Sequence, residues 1–166
     1  MDRQLLSKIL AIMKTRLLEG KDIGDMKVGA LLALGHQLEA IFYYLGHELG
    51  TFLNVDLISD VAKIPEALTK AISDYHLGEI EITDSTNELV QFKLKGHASS
   101  KYLINKNIKS AGNFCSFEAG LLAGLVERLL AGIESLSNIH CFAQELSCCI
   151  QSGDDHCDFM VVFQPS

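Results

Sequence analysis

The chain has 166 residues, of which 48% are hydrophobic and 21% are charged, and its formal net charge is −7 at pH 7. This length and composition predict a single globular domain over residues 1–166, with N-terminal helices in residues 2–75 and a core in residues 78–164. The acidic balance and the lack of a lysine- or arginine-rich cluster exclude nucleic acids and anionic membrane surfaces as expected partners.

Two helices are predicted in the first 50 residues. Residues 2–18 carry apolar side chains at helical spacing, and Gly20 ends the pattern. A longer helix over residues 27–49 repeats apolar side chains at steps of three and four, and Gly46 and Gly50 would let another element approach it closely. Charged and polar residues interrupt both apolar runs, so we expect no signal peptide, no membrane insertion and a cytoplasmic location.

Polar side chains follow one side of the second predicted helix. They are His36, Glu39, Tyr43 and His47. They could be ligands of a second metal or polar contacts in a pocket, but the chain lacks a second carboxylate–histidine pair of the kind that builds a two-metal helical bundle. A polar stripe facing solvent or another subunit is the favoured interpretation.

The pattern then changes from helix to strand. Residues 57–75 predict a third helix, with a break near Pro65. Residues 78–83 and 88–95 alternate strictly between apolar and polar side chains around a turn-rich DSTN, which predicts a β-hairpin. One side of this hairpin is expected to carry Ile80, Ile82, Val90, Phe92 and Leu94, and the other Glu79, Glu81, Gln91, Lys93 and Lys95.

A nearly all-apolar helix and a second hairpin complete the order of elements. The helix is predicted over residues 110–132, buried on more than one side, with Gly120 and Gly124 forming a smooth strip against a neighbour. Strands are predicted at residues 139–148 and 157–163. Three helices, two strands, one helix and two strands predict an α+β domain, with helices packed on an antiparallel sheet of two hairpins.

Four of the five cysteines lie in one short segment, CFAQELSCCIQSGDDHC, at residues 141–157. A reducing compartment disfavours disulfides, which leaves a metal site, inert apolar packing or redox chemistry. Gly153 would turn the chain so that thiols on both arms converge, and converging thiolates suit tetrahedral zinc. A metal is the favoured interpretation, although no C-x-x-C pair is present.

The run CSFEAGLLAG at residues 115–124, a following strand, then E-x-x-C and C-x-x-x-G-x-x-x-C ending in CDF, resembles the 4-vinyl reductase domain family. The strongest match covers residues 113–163. The resemblance implies the fold shared by these predicted hydrocarbon-binding domains and the TRAPP vesicle-tethering subunits. It also implies a small-molecule sensor, because the family includes aromatic-sensing domains of bacterial transcription activators.

The resemblance further implies a zinc site. In the aromatic sensors, zinc is held by a cysteine on the helix, a glutamate and two cysteines around the hairpin, which correspond to Cys115, Glu145, Cys148 or Cys149, and Cys157. One extra residue leaves both adjacent thiols open: Cys148 keeps the spacing from Glu145, whereas Cys149 keeps the spacing to Cys157. Four protein ligands leave no position for a reacting water, so a structural zinc is expected.

A pocket for a small hydrophobic ligand is expected between helices and sheet. Its candidate lining residues are Phe42, Tyr44, His97, Phe114, Phe117 and Phe142. His97 could donate to a phenol-like ligand. The competing interpretation is plain core packing for the aromatic residues and an exposed loop position for His97.

The sequence contains no nucleophile elbow, phosphate-binding glycine loop or dinucleotide fingerprint, so no catalytic residue is assigned. The expected function is a homodimeric, non-enzymatic module that binds a hydrophobic molecule in a sensory or regulatory role. Two alternatives remain open. One is a subunit of a tetrapyrrole vinyl reductase, and the other is a ligand-free dimeric adaptor.

Overall fold

Helices packed on one face of a four-stranded antiparallel sheet make up the fold. The structure is a computed structural model and describes residues 7–8, 11–12, 14–16, 19, 39–97, 100 and 115–164. Within these residues the elements are α1 (Glu39–Phe52), α2 (Ile64–Asp74), β1 (Glu79–Ser85), β2 (Leu89–Lys95), α3 (Ser116–Leu130), β3 (His140–Ser147), α4 (Cys149–Ser152) and β4 (His156–Gln164). The predicted α+β class and the order of helices and strands are confirmed.

The sheet has the strand order β1-β2-β4-β3, with every neighbouring pair antiparallel. The first hairpin pairs Ile80 with Leu94 and Glu81 with Lys93, so the predicted apolar and charged sides are confirmed. Along β2 the side chains alternate between buried and partly exposed, as expected for a sheet with one covered face. The two hairpins join through β2 and β4, where Leu94 lies opposite Cys157.

Helices α1 and α3 cross at close range because glycines on each helix face the backbone of the other. A Cβ atom at Gly46 or Gly50 would overlap a carbonyl oxygen of α3, and one at Gly120 or Gly124 would overlap a carbonyl oxygen of α1. The sequence predicted smooth strips at these four glycines, and the structure pairs them with each other. Small residues on both helices thus set the distance between α1 and α3.

Helix α3 is the central element of the core. Twelve of its 15 residues are buried, because α1 covers one side and strands β3 and β4 cover another. The largest buried side chains of the sheet are Phe92, Phe159 and Phe163, and Phe92 stacks on Phe159 with ring centroids 6.0 Å apart. The apolar character of α3 is therefore accounted for within a single chain.

The helix expected over residues 57–75 begins later than the pattern predicts. The chain from residue 57 to Asp60 is not helical, a 3₁₀ turn follows at Val61–Lys63, and α2 starts at Ile64. The Asp60 carboxylate accepts a hydrogen bond from the Ala62 backbone N–H at 2.9 Å, which caps the 3₁₀ turn and fixes this start.

Parts of the predicted helices lie outside the described residues. These are residues 27–38 and 110–114, together with much of the segment 2–18, in which residues 7–8, 11–12 and 14–16 are helical. Lys14 from that first segment lies 4.3 Å above the ring of Phe52. None of the helices in the described ranges combines the length and the apolar character needed to cross a bilayer.

Candidate metal centre

Four potential metal ligands converge in the interior where α3 begins and the second hairpin ends. They are the sulfurs of Cys115, Cys148 and Cys157 and a carboxylate oxygen of Glu145. Each of these atoms lies within 4.8 Å of the other three, and all four residues are buried. The family resemblance implied this set, with Cys149 as an alternative to Cys148, and the structure brings it together from segments up to 42 positions apart in sequence.

Cys115 is placed by the start of α3. It occupies the N-cap position, and its carbonyl oxygen accepts a hydrogen bond from the Ala119 backbone N–H at 2.8 Å. Its own backbone N–H donates to Glu145 Oε2 at 3.3 Å. The first turn of α3 therefore fixes both the thiol and the carboxylate that faces it.

Cys148 and Cys157 are placed by the connection between β3 and β4. The expected tight turn is a single helical turn, α4, which is closed by Gly153 at φ 81°. Cys148 keeps an extended backbone as the N-cap of α4, and its carbonyl accepts the backbone N–H groups of Gln151 and Ser152. Cys157 is the second residue of β4 and fully buried.

The Glu145 carboxyl group is buried, only partly hydrogen-bonded and shifted in pKa. Its Oε1 atom is buried and has no hydrogen-bond partner among the residues that the structure describes. Burial raises the pKa of the carboxyl to about 7, and the nearby Cys148 thiol adds to the increase, although hydrogen bonds from Cys115 oppose it. A buried, incompletely paired carboxylate is destabilising unless it is protonated or bound to a positive charge.

The donor set fits zinc. Zinc takes four ligands in a tetrahedron and accepts thiolate sulfur together with carboxylate oxygen. Two sulfurs bound to zinc at about 2.3 Å lie about 3.8 Å apart, which is the distance between Cys115 Sγ and Cys157 Sγ. A bound ion would supply the positive charge that Glu145 Oε1 lacks. With four protein ligands, the ion would link the elements and leave no open coordination position.

The other two cysteines stand outside this set. The backbone N–H of Cys149 donates to Cys157 Sγ at 3.3 Å, whereas its own sulfur is not one of the four converging atoms. The structure therefore favours Cys148 over Cys149 as the ligand. Cys141 lies on β3, where burial, followed by the charge of Glu127, raises the pKa of its thiol to about 12.

The proximity of His97 to the thiols was not predicted from the sequence. The His97 side chain is buried, and its Nε2 lies 3.3 Å from Cys157 Sγ and 3.8 Å from Cys115 Sγ. Its Nδ1 lies 3.4 Å from a carboxylate oxygen of the buried Glu118. The exposed loop position considered for His97 is wrong, because the residue is 1% exposed and its ring lies against the Cys157 sulfur. The pairing of β2 with β4 would have revealed this contact.

The aromatic pocket candidates do not share one location. Phe42, Phe117 and His97 are buried, whereas Tyr44 is 53% exposed and Phe142 is 65% exposed. Phe114 lies outside the described residues. Phe42 and Phe117 belong to the packed core around α1 and α3, and Phe142 lies on the outer side of the edge strand β3.

A surface groove between α2 and the segment after α1 has a different character. It is lined by the residues Asn54, Val55, Asp56, Ala67, Lys70, Ala71, Asp74 and Leu129. Lys70 and Asp56 form an exposed ion pair across it at 2.7 Å. The charged groups make this groove unsuitable for a purely hydrophobic ligand.

Two members of the predicted polar stripe contact other elements of the same chain. The Ala143 backbone N–H donates to the Tyr43 hydroxyl at 2.9 Å, and His47 Nε2 lies 3.2 Å from Glu127 Oε2. Tyr43 and His47 therefore join α1 to β3 and α3, and the solvent- or subunit-facing interpretation is wrong for them. His36 lies outside the described residues.

Comparisons with known proteins found relatives in sequence and in fold. No family model matches the chain. An uncharacterized protein of Methanocaldococcus jannaschii is 29% identical over 138 residues, which are 82% of this chain and 70% of that protein.

Among solved structures, the phenol-responsive sensory domain of the transcription activator PoxR, crystallised with phenol, matches with a TM-score of 0.64. The sequence identity is 12%, and the match covers 84% of this chain and 72% of that one. Subunit 3 of a trafficking protein particle complex from Naegleria fowleri, covalently bound to palmitic acid, matches with a TM-score of 0.47 and 13% identity over 96% and 93% of the two chains. The chain is thus similar in fold to the PoxR sensory domain.

Proposed function

We propose that this protein is a small-molecule-binding module of the 4-vinyl reductase domain type, braced by a structural zinc ion. Cys115, Glu145, Cys148 and Cys157 would hold the ion. The observation that carries the proposal is the convergence of their four buried donor atoms, each within 4.8 Å of the others. Thiols that serve only as core packing are not expected to converge on a buried carboxylate, whereas thiols that bind a metal together with a carboxylate are.

The zinc has a structural role in this proposal. The four donors come from the start of α3, from β3, from the β3–α4 junction and from β4. An ion bound to all four would cross-link helix α3 to the second hairpin and fix how the sheet lies against the helix. Such a site contributes directly to folding stability, because the unfolded chain cannot assemble it.

The ligand in this proposal is a small hydrophobic molecule, and the role is sensory. The resemblance of residues 113–163 to a family with aromatic sensors supports it, and so does the likeness in fold to a sensory domain whose crystal structure contains phenol. Among the predicted lining residues, Phe42, His97 and Phe117 are buried, Phe42 and Phe117 in the packed core and His97 beside the thiols. A simple aromatic alcohol is therefore the first probe to use.

Native and denaturing mass spectrometry of the purified protein test the metal, and thermal denaturation of the zinc-loaded protein with added phenols tests the ligand. We expect the native mass to exceed the denatured mass by one zinc ion per chain, and phenol or a small alkylphenol to raise the melting temperature of the zinc-loaded protein. Zinc below about one-tenth of an equivalent in folded protein would contradict the metal site. Zinc-loaded protein whose melting temperature responds to no phenol or hydrocarbon would contradict the binding function.

A further inference from the structure

Both nitrogens of the His97 imidazole have partners, and one of the two nitrogens faces the sulfurs of the metal centre. On one side, Nε2 lies 3.3 Å from Cys157 Sγ and 3.8 Å from Cys115 Sγ. On the other side, Nδ1 lies 3.4 Å from Glu118 Oε1, and the backbone N–H of Ser100 points to it from 3.4 Å. The His97 side chain is 2% exposed, so water does not compete for these contacts.

The protonation state of the cysteine decides whether the ring nitrogen or the sulfur donates the hydrogen bond. A cysteine bound to a metal ion has lost its proton and can only accept a hydrogen bond. Nε2 must then carry the hydrogen that fills the 3.3 Å contact with Cys157. This conclusion does not depend on Nδ1, which can either accept from the Ser100 N–H or donate to Glu118.

Cys157 would accept two N–H groups in the loaded centre. The Cys149 backbone N–H lies 3.3 Å from its sulfur, and His97 Nε2 lies at the same distance. Three thiolates and a carboxylate carry more negative charge than a divalent ion neutralises, so the sulfurs retain excess electron density. Hydrogen bonds to that density stabilise the bound thiolates and lower their reactivity.

We propose that His97 is a positioning residue of the metal centre: its Nε2–H donates to the metal-bound sulfur of Cys157 and thereby sets the affinity of the site and the reactivity of its thiolates. The inference rests on the proposed metal site and adds a role that the four ligands do not contain. Glu118 and Ser100 hold the ring from behind.

Cobalt(II) titration of two variants tests the role of the N–H group. His97→Phe keeps a flat ring beside Phe159, whose centroid lies 6.4 Å from that of His97, but it has no donor. His97→Gln keeps an N–H donor. We expect the affinity for Co²⁺ to fall about 10- to 100-fold in His97→Phe and to recover most of that loss in His97→Gln.

Two further readouts separate this role from simple packing. In His97→Phe the sulfur-to-cobalt charge-transfer band should move to lower energy, and alkylation of the loaded protein by iodoacetamide should accelerate. His140→Phe, at a histidine that is 74% exposed, is the matched control and should leave affinity, band and rate unchanged. A His97→Phe protein with the wild-type affinity, band and alkylation rate would overturn the inference.

Wild-type protein loaded with ¹¹³Cd provides a test that needs no folded variant. NMR should detect a hydrogen on His97 Nε2 that is coupled to ¹¹³Cd through the hydrogen bond to sulfur. A bare Nε2 bound directly to the ion would overturn the inference while leaving a metal centre in place. Wild-type protein that binds neither Co²⁺ nor Cd²⁺ through sulfur would overturn the proposed metal centre itself, and the role of His97 with it.

Discussion

Cys157 is the residue on which the proposed centre depends most. Its sulfur lies 3.8 Å from that of Cys115, 3.3 Å from His97 Nε2 and 3.3 Å from the Cys149 backbone nitrogen. Without a metal, hydrogen bonds with the Cys115 and Cys148 thiols raise the pKa of Cys157, so the sulfur stays protonated. The metal-free cluster is then a set of thiols joined by weak hydrogen bonds.

The adjacent cysteines give the sharpest prediction at the scale of single residues. Cys148→Ser should reduce bound zinc from one equivalent to well below half, because it removes one of the four converging donors. Cys149→Ser should keep the full equivalent, since the Cys149 sulfur is not one of the four converging donors. Elemental analysis of both folded variants decides this, and the reverse result would assign the ligand to Cys149.

Individual site residues were predictable from the sequence only in part. Cys115, Glu145 and Cys157 followed from the family resemblance, but spacing left Cys148 and Cys149 equivalent. Their difference arises from α4, which begins at Cys149 and leaves Cys148 in extended conformation at the end of β3. His97 could not be placed, because its contacts depend on strand pairing between segments 60 residues apart.

The crossing of α1 and α3 is the most constrained feature at the scale of elements. The positions that a Cβ would occupy at Gly120 and Gly124 are filled by the backbones of Tyr43 and His47. Backbone atoms of a packed helix cannot rotate away as a side chain can. Relief of such an overlap would require α1 and α3 to separate, and α3 also carries Cys115 at its first turn.

Gly120→Ala should therefore destabilise the protein. Alanine favours a helix over glycine by about 1 kcal/mol, but overlap with the Tyr43 carbonyl should outweigh that gain and lower the free energy of unfolding by about 1–3 kcal/mol. Urea denaturation measures the change.

Ala40→Ser is the matched control for this substitution. Ala40 is an exposed residue of α1, so the serine should change the free energy of unfolding by less than about 0.5 kcal/mol. An unchanged or increased stability of Gly120→Ala would contradict the close crossing of the two helices.

Elements with local signals were predicted well. The first hairpin followed from strict alternation, and its register pairs Ile80 with Leu94 as the pattern requires. The start of the helix after residue 57 was predicted too early, because apolar spacing continues there while the Asp60 cap sets the local geometry. The glycines of α1 and α3 were recognised in the sequence. Their contact with each other depends on tertiary packing, which local patterns do not predict.

At the scale of the whole molecule, the cluster closes long loops. It ties the start of α3 to a strand 30 positions later and to another 42 positions later. An ion that binds only the folded chain stabilises it by mass action. The strand order β1-β2-β4-β3 brings these segments together. No local stretch of the sequence predicts that order.

Removal of the metal should lower the stability of the whole molecule. With free zinc at 1,000 times its dissociation constant, the stabilisation is about 4 kcal/mol, which corresponds to roughly 10 °C in melting temperature for a chain of this size. A strong chelator should remove that increment from the wild-type protein. Cys157→Ser should melt lower and respond little to the chelator, and a wild-type melting temperature unaffected by chelation would contradict the structural role.

The homodimer stays a prediction. It was inferred from the apolar character of α3 and from the glycines of α1, but these two helices pack against each other within one chain. Exposed apolar side chains do remain on the edge strand β3, where Phe142 is 65% and Leu146 is 45% exposed. Sedimentation equilibrium measures the mass in solution, and a monomer at all concentrations would contradict the dimer.

The central claim is that three sulfurs and one oxygen of this chain hold a zinc ion, and zinc K-edge X-ray absorption tests it most directly. We expect a first shell of three sulfur scatterers at about 2.3 Å and one lighter scatterer at about 2.0–2.2 Å. That shell should be lost in Cys157→Ser and kept in Cys141→Ser, at a buried cysteine outside the cluster. A shell of oxygen and nitrogen alone, or folded protein without zinc, would contradict it.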